Sequence, residues 1–356
     1  MKPLLFVSTQ PFSGKSSICV AMGKLLIERG YKTGYMKPLG SLPVKVGNYY
    51  VDEDVHNISR ILGIKDNLKN IGPLMFIGKA YEDVLKEKIE LSSKKYLDII
   101  KKSYKKIAEN KDFMLIEGGK YIDYGIFAGL SSKEICSSLD AKAIVIIKYG
   151  DDIADIAMFY KEYFKDFFGG IIINLIPIED MDRLKNIELP YFKKRDINVF
   201  GTMLSDKVLS SISIKEMAKY IDGKILCANE KKDELVGSFM VGAMGHELAL
   251  KYFRRNPDKV VITGGDRADI QLAALETKTK CLVLTGNYQP SDIVVGRAEE
   301  LGIPIVLVGC DTLTAVGKLC EIMGHSRIYN VKKLDKLLQI IKDSIDVEKI
   351  ISLTKN

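Results

Sequence analysis

A chain of 356 residues with 47% apolar side chains can build two hydrophobic cores, and a charged content of 28% with no long polar tract argues against a disordered chain. The net charge of +7 comes from lysines spread along the sequence rather than from a basic arm, which speaks against nucleic acid as a partner and for some attraction to small anions. Six scattered cysteines without a C-x-x-C pair, no apolar stretch long enough to cross a bilayer and no signal-peptide core predict a cytoplasmic protein with reduced thiols and no membrane partner.

In chain order, Leu4-Leu5-Phe6-Val7 reads as a buried strand. It runs into Ser8-Thr9-Gln10-Pro11-Phe12-Ser13-Gly14-Lys15-Ser16-Ser17, and residues 18 to 29 follow with helical spacing closed by Gly30. Strand, glycine-bearing loop and helix ending in Gly-Lys-Ser form a phosphate-binding loop. Its backbone amides cradle phosphates, the lysine reaches the β and γ phosphates, and the Ser16 hydroxyl ligates Mg2+. Thr9 stands where the short form of the motif has its first glycine.

Residues 31 to 41 ("YKTGYMKPLGS") predict a second strand beside the first, with Lys37 and Ser41 at its carboxyl end, the edge where open parallel sheets bind ligands. Asp52, Glu53 and Asp54 open a helix, and one of them is a candidate Mg2+ ligand beside phosphates. After a lysine-rich helix over 93 to 110, "FMLIEGG" ends a buried strand at Glu117, where a phosphate-loop fold places another metal carboxylate. "AKAIVIIKYG" and "FGGIIINLIP" predict two further strands. The second carries Asn174, whose amide suits a base edge. Alternation of strand and helix argues for an α/β fold with a parallel sheet.

These motifs carry a resemblance. Residues 1 to about 200 are similar to dethiobiotin synthetase, an ATP- and Mg2+-dependent ligase, and to the N-terminal domain of long phosphotransacetylases. The similarity lies in the loop ending in GKS, whose first family glycine falls at Ser8, and in "KPLGS", the acidic cluster, "LIEGG" and "IIINLIP". It implies ATP held by Ser13, Gly14, Lys15, Ser16, Ser17 and Asn174. It implies Mg2+ on Ser16, Glu117 and Asp54 or Asp52, with Lys37 at the reacting phosphoryl or carbamate group and Ser41 nearby. Gln10 in place of an acidic residue, and Lys120-Tyr121 after "EGG", depart from the synthetase pattern on the substrate side.

Around 178 to 198 the periodicity becomes irregular, and "VFGTML" is read as opening a new run, with the domain boundary near 200 to 210. The division expected is 1–204, 205–325 and a C-terminal helical segment 326–356. Three strand-turn-helix units follow the boundary, "VVITGGDRADIQLAALE", "CLVLTGNYQPSDIVVGRAEELG" and "IPIVLVGCDTLTAVGKLCEIMG", predicting a second, smaller α/β domain. Helix capping accounts for the polar residues at the second and third turns. Gly264-Gly265-Asp266-Arg267 at the first are candidate contacts for a nucleotide or metabolite anion.

"TGGDRADI" resembles the signature of the DRTGG domain over about 205 to 325, which implies a regulatory or ligand-sensing role and a homo-oligomer. About 30 residues remain after His325, so no transacetylase domain is expected. His56, His246 and His325 lack metal-site spacing. The function expected is that of a nucleotide-responsive regulatory protein. The alternative is an ATP-dependent ligase or phosphotransferase acting on a small carboxylate or carbamate.

Overall fold

Apolar runs too short for helices and buried on both faces form the centre of the first unit in the computed structural model, which describes residues 1–86, 93–322 and 331–355. These are β1 (Leu4–Ser8), β2 (Thr33–Met36), β3 (Phe113–Glu117), β4 (Lys142–Lys148), β5 (Phe168–Ile176) and β6 (Val199–Leu204). Their order across the sheet is β6-β5-β4-β1-β3-β2, and every pairing is parallel. Parallel strands covered on both faces lose their polar alternation, which explains sequences such as LLFVS and KAIVIIK.

One expectation is corrected by this topology. β2 does not neighbour the phosphate-loop strand: β3 lies between them, pairing Leu4 with Leu115 on one side and Tyr35 with Leu115 on the other. The run that begins with "VFGTML" lies before the expected boundary and belongs to the first sheet, since β6 pairs with β5 and closes one of its edges. The irregular stretch before it forms short helical turns from Ile178 to Lys193.

Helix α1 (Lys15–Glu28) follows the loop, and α2 (Glu53–Leu62) follows a hairpin of Pro43–Val46 with Tyr49–Asp52. Asp52 caps α2 by accepting from the Asp54 N–H at 2.9 Å. The first compact unit comprises Met1–Ser205 together with Ile328–Asn356, and the second Asp206–Arg327.

In the second unit, β7 (Lys224–Ile225), β8 (Phe239–Val241), β9 (Lys259–Gly264), β10 (Thr279–Thr285) and β11 (Ile305–Leu307) form a sheet of order β7-β11-β10-β9-β8. It is parallel except at β7. One core, around Val261, Ile270 and Leu284, covers one face; another, around Ile262, Val283 and Met217, covers the other. Among the described residues no helix is long and apolar enough to cross a membrane.

Candidate functional site

The carboxyl edge of the first sheet collects side chains separated by up to about 160 positions. β1 ends at Ser8 and the loop turns back through Gly14, whose φ of 90° is the left-handed conformation that glycine adopts without strain. A Cβ at Gly14 would also collide with Asn174 Nδ2. Asn174, near the end of β5, donates from Nδ2 to the Ser13 carbonyl at 2.9 Å, and Ser13 Oγ donates to the Gln10 carbonyl at 2.8 Å. The amide expected at a base edge thus holds the loop backbone.

Lys15 and Ser16 open α1 and reach the end of β3. Ser16 Oγ donates to Glu117 Oε1 at 2.6 Å, and Lys15 Nζ donates to the Gly118 carbonyl at 2.9 Å and to that of Gly119. Tyr35, on β2, donates its hydroxyl to Glu117 Oε2 at 2.8 Å. Sequence reasoning missed Tyr35. The available signal was a tyrosine inside a short buried strand, whose hydroxyl requires a partner.

Lys37 leaves the end of β2 and lies among three carboxylates. It is 2.9 Å from Asp52 Oδ1, hydrogen-bonded to Asp54, and 3.7 Å from Glu117 Oε1, with only 2% of its surface exposed. Asp52 is itself fixed by backbone N–H groups, those of Ser41 at 2.7 Å and Leu42 at 3.0 Å in addition to Asp54. Ser41 therefore meets the cluster through its main chain. Ser17 sits half-buried in the first turn of α1.

Burial sets the electrostatics of the two lysines against each other. Desolvation pushes the pKa of Lys15 down; Glu117, 3.7 Å away, opposes this and Lys37 adds to it. Desolvation works against the charge on Lys37 too, but Glu117, Asp54 and Asp52 outweigh it and hold its pKa above the ordinary lysine value. Burial and Glu117 push the Tyr35 phenol up, so it remains a neutral donor.

The donor set is all oxygen: a serine hydroxyl, the Glu117 carboxylate and the nearby Asp54 carboxylate. That is the hard-ligand chemistry of Mg2+, which takes one or two carboxylates and completes its shell with phosphate and water. Among the described residues no group of three or more His, Cys, Asp or Glu is arranged to hold a metal by itself; His325 lies outside them. The residues fit a metal that arrives with phosphates rather than one in a closed protein cage.

On the second unit, Gly264 ends β9, Gly265 begins the turn after it and Asp266 is exposed beyond them. Arg267 is paired within its own turn, with Nε 3.1 Å from Asp269 Oδ1 and Nη2 3.2 Å from Asp269 Oδ2, and it also donates to the Met244 carbonyl at 3.1 Å. Gln271, missed from the sequence, is fully buried and donates to the carbonyls of Gly264 and Gly265 at 3.0 Å each. A Cβ at Gly265 would collide with the Tyr288 carbonyl, which explains the second glycine by packing alone.

A six-stranded parallel sheet with a phosphate loop at its carboxyl edge, followed by a smaller α/β unit, defines the class: a P-loop nucleoside-triphosphatase-like protein carrying an added domain. Comparison with known families agrees. The AAA domain model matches residues 2–228, more than half of the chain, and the DRTGG domain model matches residues 216–322, so the chain belongs to the AAA domain family and carries a DRTGG domain. It is 24% identical over 372 residues to a phosphate acetyltransferase of Nitratidesulfovibrio vulgaris, covering 96% of this chain and 50% of that one. It is 26% identical over 120 residues to an ATP-dependent dethiobiotin synthetase of Caldicellulosiruptor saccharolyticus, covering 33% and 48%. The chain spans about half the length of the phosphate acetyltransferases it matches. Among solved structures, the CBS and DRTGG domains of the Clostridium perfringens pyrophosphatase regulatory region align with a TM-score of 0.29 at 21% identity, over 38% of this chain and 69% of that one.

Proposed function

We propose that the first unit binds ATP with Mg2+ and that the chain is a nucleotide-responsive regulatory protein, its second unit taking a small anion or nucleotide at Gly264, Gly265, Asp266 and Arg267. The observation that carries this reading is the convergence of Lys15, Ser16, Lys37, Asp54 and Glu117 at one sheet edge. In this reading the loop amides and Lys15 bind the phosphates, and Lys15 exchanges its Gly118 and Gly119 carbonyls for phosphate oxygens. Ser16, Glu117 and Asp54 would hold the metal. When bound, Mg2+ neutralises phosphate charge and orients the phosphate chain. Asn174 fixes the loop through Ser13, which places it at the nucleotide without requiring it to read the base. Self-association through the second unit and residence in the cytoplasm belong to the same proposal.

Calorimetric titration of wild type and Lys15→Ala with ATP and Mg2+ tests the nucleotide reading. The expected outcome is a loss of at least about tenfold in affinity, roughly 1.4 kcal/mol, because Lys15 is the cation that opens α1 beside the phosphates. Equal affinities would remove the phosphate-loop assignment.

Lys37 favours a second reading, an ATP-dependent ligase or phosphotransferase acting on a small carboxylate or carbamate. A buried cation beside the phosphate site suits charge that develops during transfer more than charge present on binding. Incubation of the full chain with ATP and fractionated metabolite pools separates the two. ATP consumption that Lys37→Ala abolishes supports the enzyme; no consumption in any pool, with nucleotide altering ligand binding at Asp266 and Arg267, supports the regulator.

A further inference from the structure

The carboxylates assigned to the metal already have a cation. The Lys37 ammonium lies among Asp52, Asp54 and Glu117, and Lys15 lies 3.7 Å from the same Glu117 oxygen as Lys37 does, so three negative groups face two positive ones, all of them buried. The three carboxylates are not equivalent. Asp52 is anchored by the main-chain N–H groups of Ser41, Leu42 and Asp54, and one oxygen of Glu117 is taken by Tyr35. Asp54, paired with Lys37, and Glu117 Oε1, which faces Ser16 and Lys37, are the groups that must turn to a divalent ion.

We propose that Lys37 is the resident counter-cation of this cluster and excludes divalent metal until a triphosphate arrives. A divalent ion entering alone would meet two ammonium groups at close range, with too little negative charge to satisfy all of them. A triphosphate supplies that charge. It draws Lys15 and Lys37 toward its oxygens, and Asp54 and Glu117 are then released to the metal. Binding is therefore ordered: metal enters with the nucleotide or after it, and Lys37 acts as a positioning residue that sets this order. The inference rests on the nucleotide reading above, but it concerns what Lys37 does before nucleotide binds.

The test is a Mn2+ titration of the full chain followed by electron paramagnetic resonance, with and without a non-hydrolysable ATP analogue. Wild type is expected to bind Mn2+ at least tenfold more weakly without the analogue than with it. Lys37→Met should bind Mn2+ without nucleotide at least tenfold more tightly than wild type, while Lys37→Arg, which keeps the charge, should behave as wild type does. Should Lys37→Met fail to fold, Lys37→Gln, which removes the charge and keeps a hydrogen-bond donor, carries the same expectation. Unchanged nucleotide-free affinity in the neutral variants overturns the proposal, as does wild type binding Mn2+ equally well alone and with the analogue. Absence of Mn2+ binding to wild type even with the analogue would instead overturn the nucleotide reading itself.

Discussion

Gly14 occupies a position with two independent demands. Its φ of 90° is strained for any side chain, and a Cβ would press on Asn174 Nδ2. Gly14→Ala should therefore lower stability by about 1–3 kcal/mol from the backbone alone, with the collision added. Asn174→Ala in the same chain should recover only the collision, since it leaves the dihedral unchanged. Urea unfolding of wild type and the two variants checks this, and a Gly14→Ala protein as stable as wild type would contradict the loop geometry. Asn174 shows how a side chain expected at a ligand can serve the scaffold: its amide is held by Ser13 within the loop.

Strand β9 carries a buried lysine at the end opposite Gly264. Lys259 is fully buried, donates to Thr277 Oγ1 at 2.7 Å and lies 5.4 Å from the Phe253 ring centre. Burial pushes its pKa down to about 8, an effect that Asp258 only partly opposes. The unfolded chain returns it to the ordinary value of 10.5, so between these values the unfolded state binds a proton that the folded state has lost. Stability must then rise with pH across that window, whereas below about 8 the full cost of a buried ammonium is present. Urea midpoints of the second unit should climb between about pH 8 and about pH 10.5, and Lys259→Met should flatten the climb. A wild-type profile no steeper than that of Lys259→Met would show that the lysine does not titrate there.

The unit boundaries do not follow chain order. Described residues 331–355 return to the first unit, where Leu337, Ile341, Ile345, Ile350 and Ile351 are buried, Ile345 bridges Gly201 on β6, and the Lys2 N–H donates to the Thr354 carbonyl at 3.1 Å. Each such side chain contributes about 1.5–3 kcal/mol when removed from water, and a domain's net stability is only about 5–15 kcal/mol. A chain ended after Ile322 should accordingly lose cooperative folding of the first unit. Amide hydrogen exchange in β1 and β3 reads this directly: protection as in the full chain would show that the C-terminal segment is dispensable. The surface pairs Arg29 with Glu348 and Lys342 with Glu28 add little by comparison, being exposed.

The sequence by itself determined the local pieces. The loop closing at Gly14-Lys15-Ser16, the alternation of strand and helix, Glu117 at a strand end and the Gly264–Arg267 turn are each written within a window of some ten residues. Apolar periodicity, glycine conformations and capping act over that range. Tertiary structure alone decided that β3 separates β2 from β1, that Val199–Leu204 completes the first sheet, that Lys37 settles among three carboxylates, and that Tyr35 and Gln271 take part. These depend on which strands lie side by side and on which buried charges have no water to turn to. Such pairings join residues as far apart as Ser13 and Asn174, and no local pattern specifies them, because a buried polar group accepts whatever partner the fold brings within reach.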